Sequence, residues 1–98
     1  LVYPLKLQRK RRGQAIIGLS MYYVYILFCS DETYYVGLTE NIKKRIVQHK
    51  NSLVDYTKYR LPVKVVWIGM FKNKTVASNF EQYLKTGSGN AFFKKRLV

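Results

Sequence analysis

Five side chains in this sequence combine types and spacings suited to handling a phosphate: Tyr25, Tyr35, Arg45, His49 and Glu81. Arg45 and His49 stand four residues apart in "ENIKKRIVQHK". At about 100° per residue of helix they lie only about 40° apart, both beside the Ile42/Ile46 stripe. That places them at the rim of a helix–sheet contact, where a guanidinium can hold a phosphate through two parallel hydrogen bonds. His49 is the only histidine; it is either a second polar group of such a site or a satisfied rim residue. Lys43, Lys44 and Lys50 cover the outward side of the same helix, as a solvated face or as contacts to a polyanion.

Tyr25 and Tyr35 lie ten residues apart on two successive strands, and are neighbours if the pairing register allows. A phenol with a pKa of about 10 is a poor base at neutral pH unless positive charge lowers it; Arg45, Lys44 and a bound cation are the available sources. Glu81 is the only acid after Asp55, against nine basic residues. It stands at the edge of a Phe80/Leu84 stripe and leans inward. It is either an ion-pair partner of a nearby lysine or the single carboxylate ligand of a hard divalent cation.

The elements that must position these groups follow from periodicity. "YYVYILFC" (22–29) is dense in aromatic and β-branched residues and predicts a buried strand. "SDET" is a turn cluster, and "YYVGL" returns as the second strand of an antiparallel hairpin. Thr39 is the expected N-cap of a helix ending near His49 or Lys50, with Glu40 in its first turn. Residues 51–61 show no period and read as a loop. Pro62 precedes a strand, "VKVVWIGMF", in which Val63, Val65, Trp67 and then Gly69 or Phe71 alternate. "NKTVASNFEQYLK" predicts a helix capped by Asn73 or Thr75, with a stripe of Val76, Phe80, Tyr83 and Leu84. "GSG" (87–89) stops it, and "NAFFKKRL" adds a short last helix docking Phe92 or Phe93. The order β-β-α-β-α(-α) is α+β: a small, mostly antiparallel three-stranded sheet flanked by helices.

Length and charge set the bounds. The 98 residues suffice for one domain. The formal charge is +13, which favours a polyanionic partner, nucleic acid before an anionic membrane. A single cysteine, Cys29, excludes an internal disulfide and a multi-thiolate metal site; it reads as a buried thiol. Residues 1–20 hold five basic residues and no acid. With the apolar run after them they imitate a secretory signal. Tyr22, Tyr23 and Tyr25 dilute that run, no small-residue cleavage site follows, and the run is too short to span a bilayer. The expectation is a basic leader or disordered arm over 1–20, a domain over 21–98, no membrane association and a cytoplasmic location.

"YVYIL" (23–27), "YYVGLT" (34–39), Arg45, His49 and Glu81 together resemble the GIY-YIG nuclease superfamily, in its small stand-alone bacterial form, similar to the N-terminal domain of excision-repair nucleases. The two tripeptides stand here as Tyr23-Val24-Tyr25 and Tyr35-Val36-Gly37, the first with Tyr23 in place of its glycine. "TKYRLPVKVVW" (57–67) resembles the loop, proline and third strand of these proteins. The resemblance implies a metal-dependent DNA endonuclease, in repair or structure-specific cleavage, using Mg²⁺ or Mn²⁺. It implies Tyr35 as general base or relay, Tyr25 as its hydrogen-bonded partner and Arg45 as the neutraliser of the scissile phosphate. His49 would support proton transfer, and Glu81 would bind the metal. Gly37 would permit close backbone approach, and Thr39 would start the helix. Some relatives use a late Asn, for which Asn90 is the nearest candidate, at a shorter spacing from Glu81. A homodimer or an accessory protein would supply targeting. The competing expectation is a non-catalytic nucleic-acid-binding module with a degenerate nuclease fold, since basic residues attract phosphate in either case.

Overall fold

The computed structural model describes residues 20–98; the expected leader or arm over 1–20 lies, but for Ser20, outside the described residues. The elements are β1 (Tyr22–Cys29), β2 (Tyr34–Thr39), α1 (Ile42–Lys50), β3 (Val63–Phe71), α2 (Lys74–Leu84) and α3 (Gly87–Arg96). The three strands form one antiparallel sheet in the order β2-β1-β3. This is the α+β order expected from periodicity.

β1 is central, and its composition explains why. Val24, Tyr25, Ile26 and Leu27 are all fully buried, because both edges are paired and both faces are covered. A strand sends alternate side chains to opposite faces. Val24 and Ile26 therefore join Val36, Phe71, Ala77, Leu84 and Phe93 under α2 and α3. Tyr25, Leu27 and Cys29 join Ile42, Val63 and Ile46 under α1. Burying a residue such as Leu84 or Phe93 contributes about 1.5–3 kcal/mol each. Cys29 is a buried free thiol, as expected.

Several local expectations are corrected. Thr39 does not cap α1: it is still in β2, paired with Tyr23, and an extended residue held by a ladder cannot also open a helix. Asn41 is the N-cap, its side chain accepting from the Lys44 amide at 3.1 Å. Thr39 instead accepts the Asn41 amide at 3.1 Å through its hydroxyl, bracing the strand-to-helix corner. Glu40 consequently precedes the helix, whose first turn holds no acid.

The simple alternation along β3 also fails. The ladder passes from Ile26↔Trp67 to Leu27↔Val65, leaving Val66 as an extra residue. Such a bulge reverses the facing of everything beyond it. Val63 therefore lies under α1 while Trp67 and Phe71 lie under α2.

α2 is capped by Asn73, whose side chain accepts from Val76. It buries Ala77 and Leu84 with Phe80 beside them, whereas Val76 and Tyr83 are exposed. α2 already ends at Leu84, and the "GSG" stretch expected to stop it instead opens α3, which starts at Gly87 rather than Asn90, with Thr86 accepting from the Gly89 amide at 3.0 Å. A Cβ on Gly89 would overlap the Tyr83 carbonyl, so this glycine is what lets α3 cross so close to α2. Phe93, not Phe92, is the residue that docks.

Candidate active site

The site is built on the α1 face of the sheet. β1 and β2 pair with Tyr25 opposite Gly37 and Leu27 opposite Tyr35. Tyr25 and Tyr35 are thus diagonal neighbours on one face, their ring centroids 6.0 Å apart. A Cβ on Gly37 would overlap the Tyr25 ring. The missing side chain lets that ring lie flat across β2 and carry its hydroxyl to α1. Tyr34, one residue earlier, faces the other way and packs on Phe28 and Phe93.

α1 delivers Arg45 and His49 to the Tyr25 hydroxyl. His49 Nε2 lies 2.8 Å from it, and Arg45 Nε donates to it at 3.4 Å. His49 is fully buried, and its other nitrogen, Nδ1, lies 2.7 Å from the hydroxyl of Thr57, which is also fully buried. The Tyr35 ring packs edge-on against the imidazole at 4.9 Å. Arg45 also donates to Gln48 Oε1 at 3.2 Å, which aims the guanidinium along the helix.

The protonation states follow from this packing. Burial, with the positive charge of Arg45 adding to it, pushes the His49 imidazole down to about 4. His49 is therefore neutral at pH 7, with one nitrogen donating and the other accepting. Burial also raises the Tyr25 phenol well above its ordinary range, against the opposing effect of Arg45. Tyr25 thus keeps its proton. The hydrogen bond to Tyr25 holds the Arg45 guanidinium firmly charged. These groups can hold an anionic oxygen between a fixed cation and a protonated phenol, with a second phenol alongside.

Thr57, Tyr56 and Arg60 carry no assigned role in the sequence reading, yet all three belong to this region. Tyr56 packs on Tyr35 at 5.3 Å, and the Arg60 guanidinium sits 4.5 Å over the Tyr56 ring. Arg60 also pairs with Asp31 of the hairpin turn at 2.8 Å, tying the loop after α1 to the β1–β2 turn. The signal for Thr57 was indirect: a histidine buried beside a sheet needs a partner for each nitrogen, and the aperiodic loop supplies a hydroxyl. Lys43, Lys44 and Lys50 are exposed on α1.

Glu81 and Asn90 do not join these contacts. Glu81 stands on α2, which packs on the opposite face of the sheet, and its carboxylate meets Lys85 Nζ at 2.6 Å. Its side chain is only 14% exposed, matching the inward lean read from the sequence. Asn90 lies in the first turn of α3, its amide donating to the Thr86 carbonyl. Among the described residues no three His, Cys, Asp or Glu side chains gather as a metal centre. Glu81 is a single carboxylate, largely shielded and already holding a positive charge, the kind of donor that Mg²⁺ accepts when water completes its shell.

Comparison with known proteins gives concordant results. The model of the GIY-YIG catalytic domain matches residues 21–96. A UPF0213 protein of Clostridium perfringens is 48% identical over 66 residues, which make up 66% of this chain and 71% of that protein. A UPF0213 protein of Natronomonas pharaonis is 38% identical over 78 residues, covering 79% of this chain and 89% of that one. The solution NMR structure of the UPF0213 protein BH0048 from Bacillus halodurans is similar with a TM-score of 0.51 and 29% identity, covering 76% of this chain and 83% of that one.

Proposed function

The chain belongs to the GIY-YIG nuclease family, and from that premise we propose that it is a metal-dependent DNA endonuclease acting on phosphodiester bonds in the cytoplasm, in repair or on branched structures. The observation that carries this reading is the convergence of Arg45 Nε and His49 Nε2 on one buried phenol, Tyr25, with Tyr35 packed beside it. Exposed cations such as Lys43, Lys44 and Lys50 suffice for a module that only binds DNA; a guanidinium held on a tyrosine–histidine pair with a second phenol beside it suits chemistry on the phosphate.

The residues divide the work by their protonation. Arg45, fixed in charge, binds the scissile phosphate and stabilises the negative charge that builds on it in the transition state. Tyr25 keeps its proton and donates a hydrogen bond within the site. Tyr35, on the same face, is the hydroxyl placed to orient the attacking water and, once deprotonated, to take its proton. Lys43, Lys44 and Lys50 hold flanking phosphates, which makes DNA retention sensitive to salt. Glu81, released from Lys85, is the carboxylate that would hold Mg²⁺ or Mn²⁺, and such an ion would supply charge stabilisation to the leaving 3′-oxygen. Among the described residues no helix is long and apolar enough to cross a membrane. Targeting falls to a second copy or an accessory protein.

The Glu81–Lys85 ion pair favours one other reading, a nucleic-acid-binding module whose nuclease fold has lost its metal. Incubation with supercoiled and branched DNA in Mg²⁺, Mn²⁺ or EDTA separates the two. Metal-dependent strand cleavage supports the endonuclease. Tight, salt-sensitive retention with every substrate intact supports the binding module.

A further inference from the structure

Arg45 and Gln48 are three residues apart on α1, a spacing at which helix side chains meet. Arg45 donates through Nη1 to Gln48 Oε1 at 3.2 Å and through Nε to the Tyr25 hydroxyl at 3.4 Å. A guanidinium only donates, so the amide oxygen of Gln48 must be the end that faces it. One nitrogen is thus held by the sheet and a second by the helix. Two anchors on a planar group fix its plane; one alone leaves it free to turn. Nη2, with both of its N–H groups, has no hydrogen-bond partner among the described residues. On a bare helix surface a pair at this spacing contributes little to stability. Here the same guanidinium is also tied to Tyr25, which is fully buried, so what Gln48 adds is direction.

We infer that Gln48 is a positioning residue for Arg45: with Tyr25 it holds Nη1 and Nε, and so presents Nη2 to a phosphate oxygen. The chemistry of the acceptor matters. A carboxylate in its place would meet Nη1 and Nη2 together, as carboxylates do in paired contacts with arginine. That would fill the free nitrogen and offset the charge. The neutral amide directs the guanidinium and leaves both its charge and Nη2 to the substrate. A donor aimed before the substrate arrives needs no reorganisation as charge builds on the phosphate. The two hydrogen bonds stand by themselves; their effect on cleavage rests on the endonuclease reading above.

NMR of the full chain labelled with ¹⁵N-arginine tests this, the Arg45 signals being assigned by their loss in Arg45→Lys. In the wild type the two anchors slow the rotation about Cζ–Nε that exchanges Nη1 with Nη2. Gln48→Met keeps the length and helix propensity of the side chain and removes the acceptor. It speeds that exchange about tenfold or more, the scale for one hydrogen bond to a charged group. Titration with inorganic phosphate, without metal, shifts the wild-type Nη2 protons and leaves Nε in place; in Gln48→Glu the Nη2 shift is lost. On DNA, Gln48→Met lowers kcat about tenfold with KM unchanged, the pattern of an interaction made only in the transition state. An unchanged exchange rate in Gln48→Met overturns the inference. So does a phosphate shift at Nε, none at Nη2, or a Gln48→Glu protein that keeps the wild-type shift. An unchanged kcat in Gln48→Met also overturns it, and a raised KM beside that makes Gln48 a direct DNA contact. Wild-type protein that cuts no DNA counts against the endonuclease reading alone, because the rotation and the phosphate titration are read without cleavage.

Discussion

Gly37 stands directly opposite Tyr25 across the β1–β2 ladder, and the Tyr25 phenol occupies the space a Gly37 side chain would need. The glycine is a packing requirement of the site. It allows a central-strand tyrosine to lie over its neighbour strand and reach His49 and Arg45 on α1. Gly37→Ala should therefore tilt the ring and break the Tyr25–His49 bond. Overpacking of a tight contact costs about 1–3 kcal/mol, readable as a lower urea midpoint at unchanged m. Cleavage should fall with it, and the His49 NMR signals should shift. A variant with wild-type stability and unshifted His49 signals would show that the ring has room to spare.

The buried histidine makes stability depend on pH in a definite direction. Its folded-state pKa is lowered to about 4, below the ordinary value near 6.5. Between those values the unfolded chain binds the extra proton and the folded chain does not. This contribution is thus fully present above about pH 6.5 and is lost as pH falls toward 4, at up to about 1.4 kcal/mol per pH unit. Urea unfolding at pH 7, 6 and 5 should show a steeper loss in the wild type than in His49→Gln, which does not titrate. Parallel curves for the two proteins would mean that His49 ionises freely in the folded state.

Arg45 makes a directed contact through Nε, which lysine cannot reproduce. Arg45→Lys keeps the charge and loses the fork. DNA retention in a gel-shift assay should change little, while the cleavage rate should drop about 10²–10³-fold, the scale for removing one oxyanion donor. Equal losses in binding and cleavage would make Arg45 a general phosphate contact.

Glu81 is tested by its pairing with Lys85. Glu81→Gln should abolish cleavage and leave DNA retention largely intact. Lys85→Met should lower the Mg²⁺ or Mn²⁺ concentration needed for half-maximal cleavage, since the cation no longer competes with an ammonium for the carboxylate. Wild-type cutting by Glu81→Gln would remove the metal role from this residue.

How much of this was readable beforehand depends on where tertiary structure overrides local pattern. The hairpin was legible, because aromatic and β-branched runs flank a turn; that Tyr25 and Tyr35 share a face waited on the register, which the ladder supplies. Arg45 and His49 were legible as neighbours on one side of α1, because α1 is regular, but His49 was expected at the rim and is fully buried. Thr39 was misread because its pairing with Tyr23 keeps it in the strand, and no propensity reports a ladder partner. The β3 alternation failed at Val66, where a bulge leaves no mark in composition. The α2 stripe was misplaced toward Val76 and Tyr83 because the close crossing permitted by Gly89 and the burial of Ala77 were not visible in residue size. Thr57 lay in an aperiodic loop, where only the unmet second nitrogen of His49 pointed to it.

The central claim is that the Tyr25, Tyr35, Arg45 and His49 constellation cuts DNA. Its most direct measurement is strand cleavage by the full chain on supercoiled, branched, nicked and flapped DNA, with Mg²⁺, Mn²⁺ or EDTA, alongside Tyr35→Phe. Cleavage of at least one substrate with metal, none with EDTA and none by Tyr35→Phe is the predicted result. Every substrate left intact by wild-type protein that binds it tightly, or equal cutting by Tyr35→Phe, would contradict it.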